Sequence, residues 1–240
     1  NEATYQTTNR IGARPMQAGG YERVSSGAAQ ITSRLRFSPP STLFFAIGTT
    51  STNPVRYTLS PGSDPSVLAN WADSSGRAAN DFDTPNSEFV IPAGAPVRLG
   101  MDLLLGEGVS LIVRAGATLV IPDTRTLRTG FGGMLVEAGT PATMNQGGTV
   151  EVEGSGQITG GSAVYAGTTA TLRYTGLGAK TALESEFPVN FGGSLTVNRG
   201  GTLTIASSRT VAGTLRLENG IIQIPQPSLI TLTNPQPSAV

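Results

Sequence analysis

Two stretches of this chain spell nearly the same phrase. Leu111-Ile-Val-Arg-Ala-Gly116-Ala-Thr-Leu119-Val-Ile121 recurs as Leu195-Thr-Val-Asn-Arg-Gly200-Gly-Thr-Leu203-Thr-Ile205, with six of the eleven positions identical. Its skeleton is two alternating apolar residues, a glycine, then two more alternating apolar residues. Looser copies begin at Phe89, Met134 and Leu215. The copies thus start at positions 89, 111 and 134, and again at 195 and 215. A period of about 20 residues points to stacked supersecondary units rather than one closed globule. Alternation within each copy is the period of a strand, and its glycine suits a backbone turn with positive φ. The expected fold is therefore all-β: a single-stranded, β-helix-like solenoid from residue 88 to 240, in roughly seven coils stacked about 4.8 Å apart. A β-sandwich is the rival fold, and the uneven stretch 145–190 suits either.

Ahead of the repeats, residues 1–40 are read as a strand-rich N-terminal arm and 41–87 as a connecting segment. Ile31-Thr-Ser-Arg-Leu35-Arg-Phe37 alternates cleanly, with Ile31, Leu35 and Phe37 on one face and arginines on the other. Leu43–Ile47 and Val55–Leu59 read as further strands around a polar turn at Asn53-Pro54. Ser63 or Asp64 followed by Pro65 fits the start of a short helix, and 72–87 reads as loop.

Composition narrows the function. Sixteen basic and sixteen acidic residues cancel, so no net field would recruit nucleic acid or an anionic membrane. Charged residues make up only 13%, against about a quarter in an ordinary soluble domain. Glycine, proline, serine and threonine take their place, a mixture that disfavours helices. There is no cysteine for a disulfide or thiolate, and no histidine for a triad or metal site. The chain opens at Asn1 without a leader or a long apolar run, as in an exported protein whose leader is removed or left out of the sequence given.

Between residues 70 and 240 the phrases Asn70-Trp71, Phe89-Val-Ile91, Gly116-Ala-Thr-Leu119, Ala163-Val-Tyr165-Ala-Gly167 and Leu172-Arg-Tyr174-Thr-Gly176 follow one another. Ser194-Leu-Thr-Val-Asn198, Val211-Ala-Gly-Thr-Leu215 and Leu217-Glu-Asn-Gly220 complete the series. In this order they resemble the β-strand repeat-containing surface proteins that certain diderm bacteria export through the type IX secretion system. The resemblance implies an exported, right-handed β-helix-like stalk or surface module with no catalytic residues to carry over. Such proteins usually end in a sorting domain, and this chain departs from that pattern by ending at Asn234-Pro-Gln-Pro-Ser-Ala-Val240.

No chemical motif competes with a structural role. Glu151/Glu153 and Glu184/Glu186 are the only paired carboxylates suited to acid–base work, and residues two apart on a strand more often form a solvated face. Lys180, the single lysine, reads as a solvated loop residue. Asp81-Phe-Asp83-Thr-Pro-Asn86-Ser-Glu88 has oxygens enough for calcium but not the spacing of an EF-hand, so a turn-forming loop is the expectation. Gly154-Ser-Gly156-Gln-Ile-Thr-Gly160 departs from a phosphate-binding loop and reads as turn glycines. Trp71 and Tyr174 are candidates for a sugar-stacking platform, against burial in a core. No catalytic residue, cofactor or metal is expected.

An open solenoid leaves unpaired backbone groups and apolar rungs at its ends. No charged cap is legible near Leu229-Ile-Thr-Leu232. The sequence thus suggests an extracellular filament subunit, adding head to tail to copies of itself by strand donation, with Ile31, Leu35, Phe37, Leu229 and Leu232 as candidate interface residues. Self-capping by residues 1–60 is the competing arrangement. The alternative function is a monomeric adhesin holding a glycan or another surface.

Overall fold

A computed structural model describes residues 3–6, 9–15, 22–23, 30–33, 43–49, 53–138, 144–161, 163–165 and 169–234. They fall into two compact units, Asn1–Asn53 and Pro54–Val240. In the first, Ala3–Gln6 pairs antiparallel with Gln30–Ser33, setting Tyr5 opposite Ile31. Asn9–Pro15 pairs antiparallel with both Glu22–Arg23 and Leu43–Thr49. Leu35 and Phe37 lie outside the described residues. Leu43–Thr49 and Val55–Leu59 are both strands, yet they belong to different units.

The second unit is a parallel β-solenoid of about six turns. Each early turn contributes one strand to each of three faces. The first face stacks Ser87–Ile91, Val109–Val113, Met134–Val136 and Ile158–Gly160. The second stacks Val97–Arg98, Leu119–Pro122, Met144–Gln146 and Val164–Tyr165. The third runs from Leu103–Leu104 through Thr126–Thr129, Thr149–Glu153, Thr171–Leu177 and Ser194–Thr204 to Leu215–Gln223. Alternation sends every second side chain inward, where equivalent residues stack in columns. One column is Phe89, Leu111, Met134 and Ile158; another is Leu127, Val150, Leu172 and Leu195, and all eight are buried. Each fully buried aliphatic side chain contributes about 1.5–3 kcal/mol relative to exposure.

The recurring phrase does not mark one structural position. In its first copy Gly116, at φ +79°, turns the chain from the first face onto the second. In its second copy Gly200 lies inside the eleven-residue strand Ser194–Thr204 on the third face. The copies at 89, 111 and 134 do stack, as do those at 195 and 215. The two sets belong to different columns. Most turns, such as those from Met134 to Ile158 and from Leu172 to Leu195, are longer than the last one, from Leu195 to Leu215. The chain therefore makes about six turns rather than seven.

The rhythm that does recur once in each of four successive coils is Gly-X-Gly, at 106–108, 130–132, 154–156 and 176–178. It falls at the end of the first four third-face strands, and some of these glycines stack so closely on the coil below that a Cβ has no room. A methyl on Gly156 would sit 2.4 Å from the Gly130 carbonyl oxygen, and one on Gly130 would sit 2.9 Å from that of Gly106.

The first face of the first coil is covered by its own chain. Val55–Leu59 pairs in parallel with Ser87–Ile91 and antiparallel with Trp71–Ala72. Trp71 is fully buried, edge-on to Phe89 at 5.1 Å, and its indole N–H donates to the Pro65 carbonyl at 2.8 Å. Tyr57 stacks on Phe89, and Phe82 packs against both Trp71 and Phe89. The helix expected after Pro65 contracts to one 3-10 turn, Leu68–Asn70. Asp64 caps no helix; it accepts the Ser66 N–H and hydroxyl in a tight turn and the Gly100 N–H from the coil above. Burial pushes the Asp64 carboxyl up, but those hydrogen bonds and the Arg125 charge outweigh it and hold the group below the usual range.

The last coil is uncovered. Val197 is wholly buried, while Leu217, its partner in register one coil on, is 53% exposed. Ile221 and Leu229 are exposed too, and Leu215 is half-buried. Among the described residues no strand pairs with the outer edges of Leu215–Gln223 or Ile230–Leu232.

The corner packing separates two reasons for glycine. Gly154 has φ +57° and open space around it, so Gly154→Ala should cost about 1 kcal/mol for the left-handed backbone. Gly156→Ala drives a methyl into backbone that cannot retreat and should cost clearly more, of order 3 kcal/mol. Denaturant unfolding of the two variants checks the order.

Candidate functional site

The densest group of titratable side chains lies inside the solenoid, where its regular winding breaks. After Thr171–Leu177 the chain kinks at Gly178 and continues alongside Ser194–Thr204, with Lys180 opposite Leu203. A tight turn at 183–187 follows, where the coils below have a first-face strand. Backbone groups of the coil below thereby lose their strand partners, and buried side chains take their place. The Glu186 carboxylate, fully buried, accepts the Leu183 N–H at 2.9 Å, the Ile158 N–H at 3.2 Å and the Tyr174 hydroxyl at 3.1 Å. Lys180 Nζ lies 3.0 Å from Glu186 Oε1 and donates to the Gly156 carbonyl at 2.8 Å. The Tyr165 hydroxyl donates to the Glu186 carbonyl at 2.9 Å. One coil on, buried Arg199 donates to the carbonyls of Gly154, Thr175, Leu177 and Gly178.

Lys180 is therefore a core residue, not a solvated loop residue. It is buried because the Gly156 carbonyl and the Glu186 carboxylate both need a donor there. Desolvation pulls its pKa down, and the Glu186 charge opposes that pull. Burial, and next the Glu186 charge, push the hydroxyls of Tyr165 and Tyr174 well above the ordinary tyrosine range. A Lys–Glu–Tyr cluster has groups suited to proton transfer. Here every acceptor is engaged by protein and the pair is sealed from solvent, so the arrangement holds backbone rather than a substrate.

The other sequence candidates are dispersed. Glu186 is buried while Glu184 is exposed, so that pair does not converge. Glu151 and Glu153 face outward while Val150 and Val152 are buried; Glu151 accepts the Thr175 hydroxyl and Glu153 lies 3.4 Å from Arg128. Asp81 spends its oxygens on the N–H groups of Asp83 and Thr84 and the Thr84 hydroxyl, which hold its carboxyl below the usual range. Glu88 is paired with Arg56 at 2.7 Å. Among the described residues no group of three or more acidic side chains is placed to hold a metal, and no helix is long and apolar enough to cross a membrane. Gly154–Gly160 forms a corner and the strand after it, as turn glycines should. Trp71 and Tyr174 are interior, which removes both as a sugar platform. Of the candidate interface residues, Ile31 sits in the Gln30–Ser33 strand, Leu229 is exposed next to the last strand and Leu232 lies within it, packed partly against the core.

Sequence reasoning missed the interior cluster. One signal was the placement of the chain's single lysine shortly before Glu186 in the unevenly spaced stretch. Arg199, which stands where the earlier phrase has Ala115, was a second. Compared with known proteins, the chain matches no protein-family model, no curated protein and no solved structure.

The cluster makes alkaline stability predictable. Raised folded-state values mean that Tyr165 and Tyr174 contribute fully below the unfolded tyrosine pKa of about 10 and lose that contribution above it. Each should cost about 1.4 kcal/mol per pH unit beyond that point. Lys180 acts oppositely: the unfolded chain holds its proton more tightly, so its effect favours folding as pH rises, and ends near 10.5. Stability should therefore fall steeply only above about pH 10.5, and Tyr174→Phe should flatten that fall. Absorbance titration should show two of the five tyrosines ionising only with unfolding.

Proposed function

We propose that this chain is a structural subunit of an extracellular bacterial filament or surface stalk, joined head to tail to copies of itself. One contrast carries the reading: Val197 is fully buried and Leu217, in register above it, is 53% exposed. The coil pattern stops with its apolar interior and one backbone edge open, whereas its beginning is closed by Trp71, Phe82 and Leu59. An open parallel edge is a template for another strand. The donor is the Gln30–Ser33 strand, which carries Ile31 and pairs along one edge with Ala3–Gln6. Its other edge has no partner among the described residues. Donation of this strand to the last coil of another copy is heterologous, so it propagates rather than closing a dimer. The likeness to type IX-exported repeat proteins, the scarcity of charge and the lack of cysteine support a cell-surface setting.

Deleting residues 1–37 should convert filaments into monomers, seen by electron microscopy and sedimentation velocity. Leu217→Lys with Ile221→Lys, both at exposed positions, should do the same while leaving the far-UV spectrum and thermal midpoint nearly unchanged. Filaments that persist in both variants would reject the reading. A second reading, a glycan-binding adhesin, loses Trp71 and Tyr174 as its residues but is favoured by one exposed aromatic ring, Phe131.

A further inference from the structure

The tips of the four Gly-X-Gly corners form a ridge: Glu107, Phe131, Ser155 and Leu177, one per coil. Phe131 is 69% exposed and Leu177 is 80% exposed. Two large apolar side chains exposed along one ridge, beside depressions with further apolar lining, make it a candidate interaction surface. Phe131 is also the shared wall of two depressions. One, of about 240 Å³, has Ile112, Met134 and Leu135 among its lining residues, with Ser110, Gln157 and Thr159 adding polar groups. The other, of about 500 Å³, runs along the ridge past Ser155 to Leu177, with Glu107 and Glu153 on its sides.

We infer that this ridge is a binding site for a neutral linear oligosaccharide, with the Phe131 ring as its stacking platform. The ring stands between two flanking glycines packed on the coil below: a Cβ on Gly130 would meet Gly106 and one on Gly132 would meet Val109. Its backbone is thus fixed before a ligand arrives, which lowers the ordering cost of binding. An amphipathic ligand suits a surface with one aromatic face and a rim of hydroxyl and amide groups. Charge selects among such ligands. No lysine or arginine lines either depression, which disfavours anionic chains. Glu88 is neutralised by Arg56 and Glu153 lies beside Arg128, leaving Glu107 as a weak attraction for a cation. Phe131 and Leu177 stand two coils apart, about 10 Å along the ridge, so an extended ligand reaches both.

The site lies away from the open last coil, so its test is independent of filament formation. Using the Leu217→Lys, Ile221→Lys protein to keep monomers in solution, saturation-transfer NMR would be run with cellotriose, mannotriose and chitotriose at millimolar concentration. At least one should bind, Phe131→Ala should weaken it at least tenfold, and Phe131→Trp should retain or tighten it. Gln157→Ala should weaken it several-fold. Absence of binding by all three, or equal binding by Phe131→Ala, overturns the inference. So does stronger, salt-sensitive binding of a trilysine peptide that is lost in Glu107→Gln, which would make the ridge a site for cationic peptides.

Discussion

Parallel backbone pairing between successive coils is the interaction on which the remaining structure depends. Within one coil almost no strand bonds to another; each N–H and C=O on a face looks to the coil above or below. Every coil is therefore incomplete until its neighbour is in register, and the buried side-chain columns help to specify that register. The constraint explains why the corners are glycine-rich. Strands can approach at their usual spacing only if the corners stack equally closely, and there the carbonyl of one corner occupies the place where the next would carry its Cβ.

The same constraint explains the buried charges. Where the chain leaves the winding at 183–187, Ile158 N–H and the Gly156 carbonyl would otherwise be buried without partners, at a cost of about 1–3 kcal/mol each. Glu186 and Lys180 answer those two groups and also neutralise each other. An ion pair alone is weak evidence of stabilisation, because desolvation opposes it. This pair differs in that each charge also completes a backbone interaction that no apolar replacement could make. Arg199 does likewise for four carbonyls at a corner that the long strand Ser194–Thr204 no longer follows.

Much of the architecture was legible because the period of two and the apolar columns are one fact seen twice. Phe89, Leu111 and Met134 could be aligned from spacing alone, and they stack. The phrase beginning at Leu195 misled because apolar alternation around a glycine is compatible both with a corner, as at Gly116, and with an uninterrupted strand, as at Gly200. Only the neighbouring coil decides between them, and that information is not local. The Gly-X-Gly rhythm was a better marker, overlooked because a turn glycine looks ordinary until its copies are seen to recur once per coil, at 106, 130, 154 and 176. Lys180 was misread for a similar reason. Glycine and threonine neighbours suggest a surface loop, and nothing nearby in sequence reveals that the Gly156 carbonyl, a coil earlier, requires a donor.

The two ends of the solenoid answer the edge problem differently. At its beginning, residues 54–86 supply a parallel strand, a short antiparallel return and an aromatic plug, so Phe89 meets Tyr57, Phe82 and Trp71 instead of water. At the far end of the described residues Leu215 and Leu217 continue the columns of Leu195 and Val197, and Leu217 is exposed. A monomeric rod has reason to close both ends, since an exposed edge and an exposed apolar rung are each liabilities. The two ends of the described solenoid thus differ in how far their apolar rungs are covered. Among the described residues the outer edges of Val97–Arg98 and Leu103–Leu104 also lack a strand, but Val97 and Leu103 are buried there, whereas Leu217 and Ile221 on the outer strand of the far end are exposed.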